Sequence, residues 1–121
     1  SDYTVFAQLS ISKSGNLAMI ASSSQIPSRV VSVEDGVEVI RAYSIPERIK
    51  SEEYSSAQPI SWLDPATGTR IYGIYYPPSN TAYTSDGLPP TIISVHGGPT
   101  SQSDTRFNIK AQFFAQRGFG V

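Results

Sequence analysis

Apolar and polar positions alternate along the first third of the chain. Residues 3–11 place Val5, Ala7, Leu9 and Ile11 on one side of an extended segment, which predicts a strand with one buried face. A polar turn over 12–16, with Gly15 and Asn16 suited to positive φ, leads to a second apolar run at 17–21. Residues 22–28 read as a loop, because Pro27 cannot donate into a ladder. A third strand is expected at 29–33, a tight turn at Glu34-Asp35-Gly36 and a fourth strand at 37–43. Four short antiparallel strands separated by turns suit a propeller blade, and also a meander in an independent β domain.

The pattern then breaks. Residues 45–59 are first charged and then small and polar, the composition of a linker between two bodies. Strands resume at 60–63 and 70–76, joined by the hairpin-type loop Asp64-Pro65-Ala66-Thr67-Gly68 and stopped by Pro77-Pro78. A polar loop over 79–90 precedes a continuously apolar run at 92–95, expected to be a strand buried on both faces. Further on, 107–117 has helical spacing, with Phe107, Ile109, Ala111, Phe113 and Phe114 inward and Lys110 and Gln112 outward. Gly118 fits the position just past a helix C-terminus, with Arg117 suited to the dipole there. Residues 118–121 look like the start of another strand, so the chain is expected to be part of a longer protein.

Composition narrows the function more than it names it. Nine Lys and Arg against ten Asp and Glu give a net charge of -1, without a long basic patch, so neither nucleic acid nor an anionic membrane is an expected partner. No apolar run approaches the ~20 residues that span a bilayer. The absence of cysteine excludes disulfides and thiolate metal sites. No metal-ligand cluster or phosphate loop is visible, so no cofactor is expected, and a cytoplasmic setting is expected.

The candidate chemistry sits where the apolar run ends, at Val95-His96-Gly97-Gly98-Pro99. A strand that delivers a glycine-rich turn can present bare backbone N–H groups to a reacting carbonyl oxygen. His96, the only histidine, has no acidic partner in this motif and is read as bracing the turn, with Gly97 supporting it and Pro99 fixing its exit. Trp62, Tyr72, Tyr75 and Tyr76 are read as packing residues.

Taken in order, the blade-like segment 9–43, Ile60-Ser61-Trp62, Tyr72-Gly73-Ile74-Tyr75-Tyr76-Pro77-Pro78 and Val95-His96-Gly97-Gly98-Pro99 resemble the prolyl oligopeptidase family of serine peptidases. The acylaminoacyl-peptidase and dipeptidyl-aminopeptidase branch is most similar, and Gln112-Phe113-Phe114-Ala115-Gln116-Arg117-Gly118-Phe119-Gly120-Val121 continues the likeness. The resemblance implies a mainly β fragment of an α/β protein. One antiparallel propeller-type blade (1–44) is followed by a linker (45–59) and by the N-terminal strands and first helix of an α/β-hydrolase fold (60–121). It further implies a short peptide substrate, a Ser-Asp-His acyl-enzyme mechanism, and Gly98 N–H as one of two oxyanion-hole donors. The partners implied are the remaining blades and hydrolase domain, with an oligomer as a further option. No Gly-x-Ser-x-Gly elbow occurs, and in this fold the triad follows the region present, so none of these residues is a triad member and the chain alone is expected to be inactive. An esterase or lipase with a similar His-Gly-Gly turn, and a non-catalytic β-rich binding or assembly module, are the competing readings.

Overall fold

Turn chemistry and β-branched runs fold the first part of the chain into a meander. The computed structural model describes residues 2–46, 49–84, 86–98 and 100–121. The chain divides into two compact units, Ser1–Ser51 with Thr105–Phe107, and Glu52–Asp104 with Asn108–Val121.

In the first unit, β1 (Val5–Ile11), β2 (Leu17–Ser22), β3 (Arg29–Glu34) and β4 (Val37–Tyr43) form a four-stranded antiparallel sheet in sequential order. Asp35 and Gly36, at φ 50 and 78, connect β3 to β4 as the two-residue type of turn that matches strand twist. Tyr3, Ala21 and Val31 are buried together, with Met19 and Ile26 packed against them. Arg29 lies over the rings of Tyr3 and Tyr43, at 5.8 and 5.3 Å, and donates to Tyr3 Oη at 3.1 Å. On β3 and β4, Arg41 pairs with Glu34 and donates through Nε to Ser32 Oγ at 2.7 Å.

One expectation about β1 fails. Its register against β2 shifts between Ala7 and Ser10, and Gln8 takes φ 52. One extra residue on β1 reverses the alternation, so Leu9 and Ile11 turn to the face opposite Val5 and Ala7. Ile11, paired with Leu17, comes to the face that carries Met19 and Ala21, and Leu9 and Ile11 are nonetheless 63% and 68% exposed.

A short 3₁₀ turn (Ser51–Glu53) leads into the second unit, which contains the hairpin of β5 (Gln58–Leu63) and β6 (Arg70–Tyr75). β5 opens inside the stretch read as linker, and Tyr54 and Ser55 before it are buried, because a polar network holds them. Trp62 covers Gly73, where an added Cβ would lie 3.3 Å from the indole. Tyr76 is buried, whereas Tyr72 stands in solvent.

The helix α1 (Ile109–Ala115) is shorter than the pattern suggested. Asn108 caps it, its side chain accepting from the N–H groups of Lys110 and Ala111. At the other end Phe119 N–H reaches Phe114 O and Gly118 N–H reaches Ala115 O, with Gly118 at φ 87, which is a Schellman closure. Phe114 and Phe119 complete it with ring centroids 5.9 Å apart. Arg117 donates to Phe113 O and covers the Phe113 ring at 3.6 Å. The buried face, however, is Ala111, Gln112 and Ala115, while Ile109 and Phe113 are exposed. Gln112 therefore points inward, against expectation. Among the described residues no helix is long and apolar enough to cross a membrane.

Candidate functional site

The glycine-rich turn is reached through the second unit's hydrogen-bonded framework. Just beyond β6, Tyr76 and Val121 exchange both backbone bonds, at 2.9 and 3.0 Å, as antiparallel neighbours do. On the other side of the same short piece, Ile92 N–H donates to Gly120 O at 2.8 Å and Gly120 N–H to Pro90 O at 2.9 Å. Thr91 and Gly120 form a parallel bridge. Residues 120–121 are thus inserted between the end of β6 and residues 90–92. The chain from Thr91 returns to Gly120 by way of α1, which makes residues 92–119 a parallel crossover.

The run 92–95 does not extend that bridge into a strand. Ile93 and Val95 are 85% and 83% exposed, against the expectation of burial on both faces. The physical reason is a lack of neighbours: among the described residues nothing pairs with 93–95, and a β-branched run does not form a strand alone.

Gly120 is where backbone must come close. A Cβ there would meet Thr91 Oγ1 and Tyr75 Cε2 at 2.9 Å and Tyr75 Oη at 3.0 Å. Gly120→Ala is expected to lower stability by about 1–3 kcal/mol, as overpacking in a tight interior does, read as a fall in the urea unfolding midpoint.

His96, Gly97 and Gly98 follow, all exposed. Gly98 has φ 74, a backbone region that side-chain-bearing residues enter at a cost of about 1–2 kcal/mol. Among the described residues none of the three makes a hydrogen bond. The two glycine N–H groups are correspondingly without an acceptor among the described residues. Pro99 lies outside the described residues.

The loop that carries this turn ends at α1, and α1 is tied down by a residue that the periodicity hid. Gln112 Oε1 accepts from Ser55 N–H at 2.7 Å, and Gln112 Nε2 donates to Ser55 O at 2.9 Å. Ser55 Oγ donates to Pro77 O at 2.6 Å, and Ser79 Oγ donates to Glu53 O at 3.0 Å. Ser79 N–H reaches Ala115 O and Asn80 Nδ2 reaches Gln116 O, so residues 53–55, 77–80 and α1 form one network. The only sequence signal for it is the pair of small residues, Ala111 and Ala115, on the same side of the helix.

Two ionisable groups of the unit are displaced from their ordinary behaviour. Burial pushes the Tyr76 phenol up, with the Asp104 carboxylate adding to the effect. In the β5–β6 loop, Thr67 Oγ1 donates to Asp64 at 2.6 Å and Ala66 N–H at 3.0 Å, which holds the carboxyl below its usual 3.8. The folded hairpin therefore favours the charged form, so its contribution is complete above pH 3.8 and is lost as pH falls through the lowered value. The midpoint of unfolding should drop on acidification below pH 3.8 in the natural sequence, and Asp64→Asn should remove that part of the drop.

No family model matches the chain, and no curated protein does. Solved structures do. The chain is similar over its whole length to a Mycobacterium tuberculosis puromycin-hydrolyzing peptidase, with 26% identity and a TM-score of 0.84. It is likewise similar over its whole length to a puromycin hydrolase, with 26% identity and a TM-score of 0.80. In both cases the chain spans 19% of the length of the protein it matches.

Proposed function

We propose that this chain is a segment of a serine-type peptidase of the prolyl oligopeptidase kind. In this reading residues 1–44 are the last propeller blade and residues 45–59 the crossing. Residues 60–121 open an α/β-hydrolase domain that continues with the triad.

The observation that carries the reading is the crossover itself. A turn with Gly98 at φ 74 lies in the loop between a segment bridged in parallel to Gly120 and the helix α1. That is the position from which an α/β-hydrolase supplies the second oxyanion donor, the first following the nucleophile. The likeness of the whole chain to a puromycin-hydrolyzing peptidase supports peptide rather than ester substrates. Gly98 N–H then faces the carbonyl oxygen as it gains charge, Gly97 shapes the turn, and His96 supports it. The nucleophile, general base and orienting acid come from elsewhere in the protein, and the blade and hydrolase strands pack against its remaining parts.

The test compares substrates on the gene product that contains these residues. Short aminoacyl and acyl-peptide amides should be hydrolysed with higher kcat/KM than p-nitrophenyl acyl esters corrected for their greater intrinsic reactivity. A preference for esters after that correction would point to an esterase or lipase instead.

A further inference from the structure

We propose that β5 is a self-association edge: two copies of the chain pair antiparallel along it, centred on Ser61, so that their β5–β6 hairpins join into one sheet.

Hydrogen-bond alternation decides which groups of β5 point away from β6. Asp64 N–H donates to Thr69 O at 2.8 Å, and these two residues continue the register that pairs Leu63 with Arg70 and Gln58 with Tyr75. Bonded pairs alternate with unbonded ones in an antiparallel ladder, so Trp62, Ile60 and Gln58 also bond to β6. Pro59, Ser61 and Leu63 therefore turn their backbone groups to the outer side. The far edge of β6 agrees, because Tyr76, next to Tyr75, gives both its bonds to Val121. Among the described residues nothing pairs with the outer side of β5. It presents the carbonyls of 59, 61 and 63 and the N–H groups of 61 and 63, since Pro59 has none.

Edge strands are ordinarily made unfit for further pairing by bulges or charges. Both outer strands of the four-stranded sheet follow that rule. β1 shifts register between Ala7 and Ser10, while β4 meets a shift between Val30 and Val31 and carries Glu38 and Arg41. β5 does neither. It keeps one register over its whole length and has no charged side chain, so an identical strand laid against it meets no repulsion.

The residues of β5 also choose the register. With Ser61 opposite Ser61 of the second copy, each Ser61 N–H reaches the Ser61 carbonyl across the axis. Each Leu63 N–H then reaches the carbonyl of the facing Pro59, giving two bonds of each kind. On one face Ile60 lies against Trp62, an aromatic and β-branched pair suited to cross-strand contact, and on the other Leu63 lies against Pro59. Ile60, Trp62 and Leu63 are 42%, 48% and 56% exposed, so this area is there to be covered. A register centred on Trp62 would instead set Ile60 opposite Asp64, whose carboxyl is already engaged by Thr67 and Ala66. Because each face matches itself, the contact is isologous and closes as a dimer. Main-chain bonds supply its affinity and the side-chain pairs its specificity.

The experiment uses the gene product that contains this segment and reads its mass over a concentration series by sedimentation equilibrium. The natural protein should dimerise reversibly. Ser61→Pro removes an outward N–H and leaves the β5–β6 ladder whole, so it should raise the dimer dissociation constant about tenfold or more. Ser61→Ala keeps the N–H, gives up only the hydroxyl that accepts from Arg70, and should dimerise as the natural protein does. Ser61→Cys reports the register under mild oxidation. Across an axis at 61 the two Cα atoms stand about 5.5 Å apart, within disulfide reach, whereas one residue out of register they stand about 8 Å apart. The Cys variant should therefore link into a covalent dimer, and it carries the test if Ser61→Pro does not fold. A natural protein that stays monomeric, with β5 covered by another part of its own chain or by water, would overturn the proposal. So would a dimer that Ser61→Pro leaves unchanged, or a Cys variant that oxidation fails to link. Peptidase turnover is read separately, so its absence would leave the dimer standing.

Discussion

Gln112→Leu is expected to lower the unfolding free energy by about 3 kcal/mol, the largest single loss of stability foreseen in the second unit. The substitution leaves both Ser55 N–H and Ser55 O without their partners, which sit at 2.7 and 2.9 Å in the natural chain. Each buried backbone group left unsatisfied costs about 1–3 kcal/mol, and the apolar replacement recovers only part of that. Urea unfolding of the protein that carries this segment reads the effect as a lower midpoint at unchanged slope. A loss below about 1 kcal/mol would mean that water or a shifted backbone replaces the amide.

Gly98→Pro should produce the largest change in activity. Proline removes the N–H and cannot take the observed φ of 74. Removal of one oxyanion donor lowers kcat by about 100- to 1,000-fold, with KM changed far less. Gly98→Ala keeps the donor and meets only the strain of positive φ, so its loss in kcat should be clearly smaller. Equal effects of the two substitutions would argue that Gly98 matters for its conformation and not for its N–H.

These two positions differ in how far the amino-acid sequence reveals them. Gly98 is legible because a β-branched run ending in His-Gly-Gly-Pro is a local pattern with a mechanism. The hairpins are legible for a similar reason: Asp35-Gly36 and the loop 64–68 state their turns in adjacent residues. Gln112 is not, because its burial depends on Ser55, 57 residues away. A helix of seven residues also gives periodicity too few turns to choose a face, and the large apolar residues Ile109 and Phe113 weight it toward the wrong side.

Two further differences have non-local causes. The bulge at Gln8 reverses the faces of β1 without any glycine or proline to announce it, since only the register against β2 demands it. The run 92–95 has the composition of a doubly buried strand, yet a strand forms only where a neighbouring strand pairs with it. Here Gly120 pairs with residues 90–92, and among the described residues nothing pairs with 93–95. Composition therefore reports the environment this run is suited to, whereas the fold of these residues reports the neighbours it has.

The central claim is that Gly98 serves a serine nucleophile lying outside these residues in a peptide-cleaving enzyme. It is tested most directly by treating the gene product that contains this segment with a fluorophosphonate and following release of p-nitroaniline from an aminoacyl p-nitroanilide. The account predicts turnover before treatment, its loss in step with modification, and a single phosphonylated serine that mass spectrometry maps outside residues 1–121. Turnover that survives complete modification, or a modified serine within residues 1–121, would contradict it.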